Sequence, residues 1–290
     1  MSTEGSISSA WKTAGVLVPG FLLLTAFPAS AKRLEKHFKV AAHPIVTIHN
    51  PNGTVTVKAW TKSEILVIAD LASDRVDVNA EQNGNRVDVL TRQVGSNVAP
   101  DDYKADYQIN VPEDTELQIH DDSGAVSVAN VLGNMDVETV AAGVDLQDAA
   151  GYLTIATVGG SVQCLRCAGR IEVNSISGNF RFVDMRSYHV RAQTSTGNIL
   201  FSGEFLPNGF YRLRNYSGVI DLRFAPGDSF DLSATSLKGK VNNEANLISG
   251  RAADPASRYG KSLVGTFNTA GHAKVELTSF DGTINITKRD

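Results

Sequence analysis

Two cysteines three residues apart form a C-x-x-C motif at Cys164 and Cys167. A redox pair of the thioredoxin kind lies at the N-terminus of a helix, but the residues that follow Cys167, Ala-Gly-Arg-Ile-Glu-Val, predict a strand. Two cysteines do not complete a four-ligand zinc site, and the six histidines are scattered without metal-ligand spacing. The pair is therefore interpreted as structural, either as a small local disulfide or as two unpaired thiols.

Two pairs of adjacent carboxylates, Asp101-Asp102 and Asp121-Asp122, could serve calcium binding or acid–base chemistry. Calcium-binding repeat proteins place an aspartate in every turn, and this sequence lacks such a series. Adjacent side chains of a strand also point to opposite faces. We expect these four residues to be solvated loop acids, and the sequence predicts no metal site, no cofactor and no catalytic residues.

A series of arginines occurs on successive predicted strands, mostly at outward positions. Such a stripe could bind an acidic glycan or a phosphate-rich polymer, although outward arginines are often only the solvated face of a protein. Tyr216 precedes a turn and is expected to expose its ring, whereas Tyr211 has an inward position. The candidate binding face comprises Arg181, Arg191, Arg212, Arg214, Tyr216 and Arg223.

The charge balance argues against nucleic acid as a partner. The chain of 290 residues has 27 basic and 31 acidic residues and a net charge of −4. Proteins that bind nucleic acids generally cluster lysine and arginine in a basic domain. With 42% hydrophobic residues, the chain can build a globular core. An envelope glycan or a cell-surface protein is therefore the expected partner, and the sequence does not reveal the oligomeric state.

The sequence repeats a Gly-x-apolar-x-apolar unit at intervals of about nine residues. Apolar residues two apart share one face of a strand, so each unit predicts one short strand. The predicted inward pairs include Leu153/Ile155 and Phe180/Phe182. Glycine at each start is attributed to the positive φ that tight corners require. The units begin at Gly124, Gly133, Gly143, Gly151, Gly160, Gly169, Gly178, Gly197, Gly209, Gly218, Gly227 and Gly282.

This regular period predicts an all-β fold, a single-stranded parallel β-solenoid (β-helix). Two units would form a coil of about eighteen residues, stacked on the next at about 4.8 Å. The alternative is an antiparallel meander in a sandwich or barrel, because strands at this spacing also suit that fold. The uniform turns favour the solenoid, which we expect over 121–290 with a loop excursion at 245–270.

Residues 32–120 are rich in predicted strands but lack the nine-residue period. They are expected to form an N-terminal cap that covers the open end of the solenoid. Two hairpins are predicted within this region. One joins the strands of 45–60 through Asn52-Gly53, and the other turns at Asn83-Gly84.

The N-terminus has the features of a secretory signal peptide, predicted over 1–31. An apolar run at 14–27 is followed by Ala29-Ser30-Ala31, which is a typical cleavage site. Retention of this segment as an anchor is the alternative. No second long apolar run occurs, so the mature chain is expected to lack a membrane span and to lie in the periplasm, at the cell surface or outside the cell.

The order of these features resembles the bacterial "putative adhesin" family of unknown function, also called the toastrack domain. The resemblance rests on the alternation through Asn52-Gly53 to Trp60, then on Ser123-Gly124-Ala-Val-Ser-Val and the repeated Gly-x-Ile/Val-x-Val units. It covers essentially the whole mature chain. It implies an extracytoplasmic β-solenoid without agreed catalytic residues.

Two functions are compatible with this sequence. The first is a non-catalytic interaction module that binds glycan or protein along the side of the solenoid. The second is a carbohydrate-active enzyme on a β-helix scaffold, which would require carboxylates that converge in a cleft. The absence of a paired acid near the arginines favours the first.

Overall fold

The computed structural model describes residues 32–96, 99–244, 248–249, 261–269 and 272–289, which fall within one compact unit, Ala31–Asp290. The predicted signal segment 1–31 lies outside the described residues. The described part has no α-helix and one 3₁₀ turn, Pro100–Tyr103. The strands are β1 (Lys32–Lys39), β2 (Ile45–Asn50), β3 (Gly53–Trp60), β4 (Glu64–Leu71), β5 (Val76–Asn83), β6 (Arg86–Gln93), β7 (Ala105–Pro112), β8 (Glu116–Asp121), β9 (Gly124–Ala129), β10 (Met135–Thr139), β11 (Gly143–Gln147), β12 (Ala150–Thr157), β13 (Val162–Leu165), β14 (Ala168–Ser175), β15 (Phe180–Thr196), β16 (Ile199–Gly203), β17 (Gly209–Ser217), β18 (Val219–Phe224), β19 (Phe230–Ser236), β20 (Lys240–Asn243), β21 (Ile248–Ser249), β22 (Lys261–Phe267), β23 (Ala273–Ser279) and β24 (Thr283–Lys288). The predicted all-β class is confirmed.

The central strands alternate between two sheets, and each pairs in parallel with the second strand along the chain. Sheet B contains β8, β10, β12 and β14, and Met135 of β10 pairs with Leu117 and with Leu153, eighteen residues away on either side. Sheet A contains β9, β11 and β13 in the same arrangement. The long strand β15 belongs to both sheets, sheet A at its start and sheet B from Arg186. We call a sheet B strand and the following sheet A strand a rung.

The hydrophobic core lies between the two sheets. The side chains of Phe180 and Phe182 are 1% and 0% exposed, and Leu153 and Ile155 are fully buried. Each rung contributes two or three apolar side chains from each sheet, and the rings of Phe182 and Phe201 pack 6.5 Å apart between neighbouring rungs. The predicted inward positions are thus confirmed.

A polar residue ends most sheet B strands and precedes a glycine by three positions. The backbone N–H of Gly160 donates to Thr157 Oγ1 at 2.9 Å, and that of Gly178 donates to Ser175 Oγ at 2.8 Å. The hydroxyl thereby satisfies an amide that no strand pairs, as in other serine and threonine turns. This interaction fixes the corner that takes the chain from sheet B to sheet A.

The structure corrects the explanation for many of the repeated glycines. Gly124 and Gly218 have the expected positive φ, but Gly160 and Gly178 do not. A Cβ at Gly160 would lie 2.0 Å from the carbonyl oxygen of Ala142, in the rung next to it. Glycine is required at this position because the neighbouring corner approaches it too closely for a Cβ, although Ala142 is accommodated at the same position one rung earlier.

The N-terminal strands enter the stack out of sequence order. In sheet B, β2 lies between β6 and β8, and in sheet A, β3 lies between β7 and β9, all in parallel. The predicted hairpin of 45–60 is therefore wrong, because β2 and β3 belong to different sheets and Gly53 turns a corner. The hairpin at Asn83-Gly84 is confirmed by the antiparallel pairing of β5 with β6.

The C-terminal strands are also inserted. In sheet B, β23 lies between β17 and β19, and in sheet A, β24 lies between β18 and β20. The last rung of the chain thus separates two rungs that are consecutive in sequence. Over 121–290 the repeat suggested coils that stack in sequence order, and the inserted β23 and β24 depart from that order.

Antiparallel strands cover the first and last rungs. At one end β4 and then β1 continue sheet A, while β5 borders sheet B. At the other end β22 pairs antiparallel with β19. Part of the predicted loop excursion 245–270 is therefore strand, and most of the remainder lies outside the described residues. Because 32–120 shares both sheets with the later rungs, its separation as a cap domain stays a prediction.

Candidate functional site

Four residues of the candidate binding face lie together on the outer surface of sheet B. Arg191 pairs in register with Arg212, and Arg214 is the next outward residue along β17. Tyr216 follows at the end of the same strand. These side chains alternate with the buried Leu213 and Asn215, so the period of two along a strand places them outward.

We call the outer surface of β14, of β15 from His189 onward, of β17 and of β23 the arginine face. It carries five cations and two acids, a local charge of +3 on a chain whose net charge is −4. A local excess of positive charge attracts anions even when the whole protein is acidic. Its charged residues are Arg170, Arg191, Arg212, Arg214, Lys274, Glu172 and Glu276.

The two acids of this face are held as ion pairs. Arg170 contacts Glu172 Oε1 at 2.6 Å, and Arg212 contacts Glu276 Oε2 at 2.6 Å. The guanidinium of Arg170 lowers the pKa of Glu172, while Lys274 and Arg212 lower the pKa of Glu276. Both carboxyl groups therefore remain ionised at neutral pH, which is unsuited to a general acid.

Arg191 lies between Glu172 and Arg212 in the ladder and forms no ion pair with the described residues. Its Nε is buried and has no hydrogen-bond partner among them. The neighbouring His189 has a lowered pKa, mainly because burial disfavours its charged form and because Arg170 is close. The guanidinium of Arg191 thus carries a charge that no ion pair with the described residues neutralises, and this charge could attract an anionic group to the arginine face.

A shallow groove of about 490 Å³ runs beside the arginine face at the end of the strands. The ring of Tyr216 stacks on that of Phe280 with centroids 4.5 Å apart, and 56% of Tyr216 is exposed. Arg214 lines the same groove and has no ion pair among the described residues. The groove combines an aromatic surface with polar groups from Gln193 and Thr278.

The other two predicted residues do not join this site. Arg181 pairs in register with Gln163 and Leu200, and Arg223 with Ser202 and Thr287, all on sheet A. Sequence alternation identified both as outward but could not show which sheet each strand joins. The single face predicted from six residues is therefore divided between two sheets.

Cys164 and Cys167 are joined by a disulfide, with Cα atoms 5.9 Å apart. Cys164 lies on the inner side of β13, next to its last residue, and Cys167 lies in the corner before β14. Both residues are fully buried. A partner thiol has no access to this bond in the folded chain, which leaves it a structural link.

The acidic pairs have different environments. Asp101 and Asp102 are exposed in the 3₁₀ turn, as expected. Asp122 is exposed, but Asp121 is 1% exposed, so the description of Asp121 as a solvated acid is wrong. No group of three or more His, Cys, Asp or Glu side chains in the described ranges is arranged to hold a metal ion.

No helix within the described part of the chain is long and apolar enough to cross a membrane. No curated protein matches the sequence.

Several solved structures are similar to this chain at low sequence identity. A protein of Bacteroides fragilis described as a "putative adhesin" is 13% identical, with a TM-score of 0.48, over 90% of this chain and 99% of that one. A "putative lipid binding protein" of Parabacteroides distasonis is 10% identical, with a TM-score of 0.43, over 90% and 98%. A "putative adhesin" of Parabacteroides merdae is 9% identical, with a TM-score of 0.32, over 89% and 97%.

A protein-family model matches residues 45–287, from β2 to β24, and is described as Toastrack DUF4097. This match spans well over half of the chain and includes every rung of the two sheets. The resemblance inferred from the repeated glycines is thereby confirmed. The chain belongs to the Toastrack DUF4097 family.

Proposed function

We propose that the protein is a non-catalytic, extracytoplasmic interaction module whose arginine face binds an anionic glycan of the cell envelope. The observation that carries this proposal is the local charge of +3, with Arg191 lacking any ion pair among the described residues. Repeated anionic groups on a polymer would meet arginines that repeat from rung to rung.

The same face supports binding better than catalysis. Glycoside hydrolysis requires two carboxyl groups about 5–10 Å apart, one of them with a raised pKa. Glu172 and Glu276 instead have lowered pKa values and are paired with arginines. The face is also shallow, as a binding surface for an extended polymer would be.

The proposal also includes the solenoid fold of the chain and its location outside the cytoplasm. The parallel ladders with their eighteen-residue offset support a single-stranded β-solenoid, into which the terminal rungs are inserted. The apolar run and the Ala29-Ser30-Ala31 sequence support export. A disulfide between Cys164 and Cys167 would suit an oxidising compartment.

A matched pair of variants tests the ligand. Arg191→Glu reverses one charge on sheet B, and Arg181→Glu reverses one charge on sheet A. With polygalacturonate as the probe in isothermal titration calorimetry, Arg191→Glu should weaken binding at least about tenfold, and Arg181→Glu by less than about twofold. Equal losses, or no binding by the unmodified chain, would contradict the assignment. Release of reducing ends from the probe would favour the enzyme.

A further inference from the structure

A row of exposed apolar side chains runs along one corner of the molecule. Each member directly follows a polar residue at or near the end of a sheet B strand, and backbone hydrogen bonds continue through the corners. Gly159 N–H donates to Val140 at 2.8 Å, and Ser177 N–H donates to Val158 at 2.9 Å. In order along the stack, the seven positions of this corner row are Val140, Val158, Ile176, Ser195, Tyr216, Phe280 and Leu237, of which Ser195 is polar and Phe280 is half-buried.

The exposure of this row is unusual. The side chains of Val140, Val158, Ile176, Tyr216 and Leu237 are 44–60% exposed, which makes them half of the ten large apolar residues that the described chain exposes. Scattered exposed apolar residues need no explanation, but five of them at seven successive corners, three without interruption, indicate an interaction surface. Seven rungs at about 4.8 Å make the row roughly 29 Å long.

The spacing of the row determines what fits against it. Side chains that recur at about 4.8 Å interdigitate best with a partner of the same period, and a second solenoid of this kind has that period. The row is also asymmetric in size. Valine and isoleucine occupy one half, and aromatic or leucine side chains occupy the other, so an antiparallel copy would place small residues against large ones.

The charges at the two ends of the row are complementary. Asp122 occupies the rung before Val140, and Ala141 N–H donates to its carbonyl oxygen at 2.8 Å. Lys238 follows Leu237 at the opposite end and lies over the ring of Phe280, 4.8 Å from its centroid. In an antiparallel pair, Asp122 of each copy would meet Lys238 of the other. An anionic lipid surface would repel the acidic end.

We propose that the corner row is the interface of an antiparallel homodimer with two-fold symmetry. Tyr216 and Arg214 then contact the second copy, while Arg191 and Arg212 stay open, and two arginine faces in one particle would bind a polymer with increased avidity. A strip of this length covers about 400 Å² per copy, roughly half of a standard interface. The dimer should therefore dissociate in the micromolar range.

Sedimentation velocity from about 1 µM to about 300 µM tests this interface without any ligand. The unmodified chain should shift from monomer to dimer across this range. Ile176→Lys, at the most exposed apolar position of the row and next to its centre, should stay monomeric, whereas Leu132→Lys, similarly exposed but outside the row, should dimerise normally. A chain that is monomeric throughout, or an Ile176→Lys variant that still dimerises, would overturn the proposal.

A charge exchange tests the antiparallel arrangement. Asp122→Lys and Lys238→Asp should each raise the dissociation constant about fivefold or more, and the double variant should return it to within about twofold of the original. Failure of the double variant to recover would overturn this arrangement. Flotation with phosphatidylcholine and phosphatidylglycerol vesicles that is lost in Ile176→Lys would replace the second copy with a lipid surface.

Discussion

At the scale of single residues, Asp121 departs most from its surroundings. It occupies the polar position at the end of a sheet B strand, where neighbouring rungs have Asn50 and Thr139. Neither carboxylate oxygen has a well-formed hydrogen bond to any described residue. Burial, with a smaller effect of Asp122, raises the pKa of Asp121 to about 7. The folded chain therefore favours the protonated form.

This shift predicts a stability that falls as pH rises. The unfolded carboxyl ionises near its usual pKa of about 3.8, and the folded one ionises only near about 7. Between these values the unfolded state releases its proton first, which should cost the folded state about 4 kcal/mol by pH 8. Asp121→Asn should flatten the pH dependence in urea unfolding, and Asp122→Asn should not. An unchanged slope in Asp121→Asn would contradict the assignment.

A second prediction for single residues concerns the contribution of the Cys164–Cys167 disulfide to stability. Because Cys164 and Cys167 close a loop of only a few residues, the disulfide should contribute little through loop entropy. The double variant Cys164→Ala/Cys167→Ala should lose about 1–2 kcal/mol, mostly through a small cavity, and keep its fold. The buried pair should not reduce insulin in a turbidity assay. Turnover by the unmodified chain would instead establish a redox role.

At the scale of elements, the corners determine how closely rungs can stack. Gly160→Ala would bring a Cβ to 2.0 Å from the carbonyl oxygen of Ala142, and the backbone would have to shift. We expect a loss of about 2 kcal/mol or more in denaturant melts. Gly227, also in a turn, has open space where a Cβ would lie, so Gly227→Ala should be nearly neutral. Similar losses in both variants would mean that close approach is not the constraint.

At the scale of the whole molecule, the C-terminal rung of β23 and β24 is inserted between the rung of β17 and β18 and the rung of β19 and β20. Because β23 and β24 lie between earlier rungs, removing 273–290 should open a gap inside the stack rather than shorten its end. The truncated chain should lose cooperative unfolding in circular dichroism and aggregate on size exclusion. Removing only 289–290 should have little effect. A stable, cooperative truncated chain would show that this rung is dispensable.

Processing is a second prediction for the whole chain. If 1–31 is a signal peptide, N-terminal sequencing of the exported protein should give Lys-Arg-Leu-Glu, beginning at Lys32. β1 begins at this residue and pairs with β4 from Lys32 onward. Retention of Met1 or Ser2 would indicate an anchor instead.

The sequence by itself determined the strand positions, the inward side chains and the family. These follow from local patterns, because alternation with a period of two specifies which side chains are buried in any strand. Phe180, Phe182 and Tyr216 could be assigned in this way. Four members of the corner row, Val140, Val158, Ile176 and Tyr216, also share a local pattern, an apolar residue between a polar residue and a small one, but no such pattern reveals exposure.

Only the tertiary structure decided which strands are neighbours. Every rung offers the same hydrogen-bonding edge and a similar apolar face, so local pattern does not distinguish β23 from β19 as the partner of β17. That choice depends on contacts more than fifty residues apart in sequence, such as Tyr211 with Val275. The division of the six candidate residues between two sheets, and the alignment of distant apolar residues into the corner row, follow from the same long-range pairing.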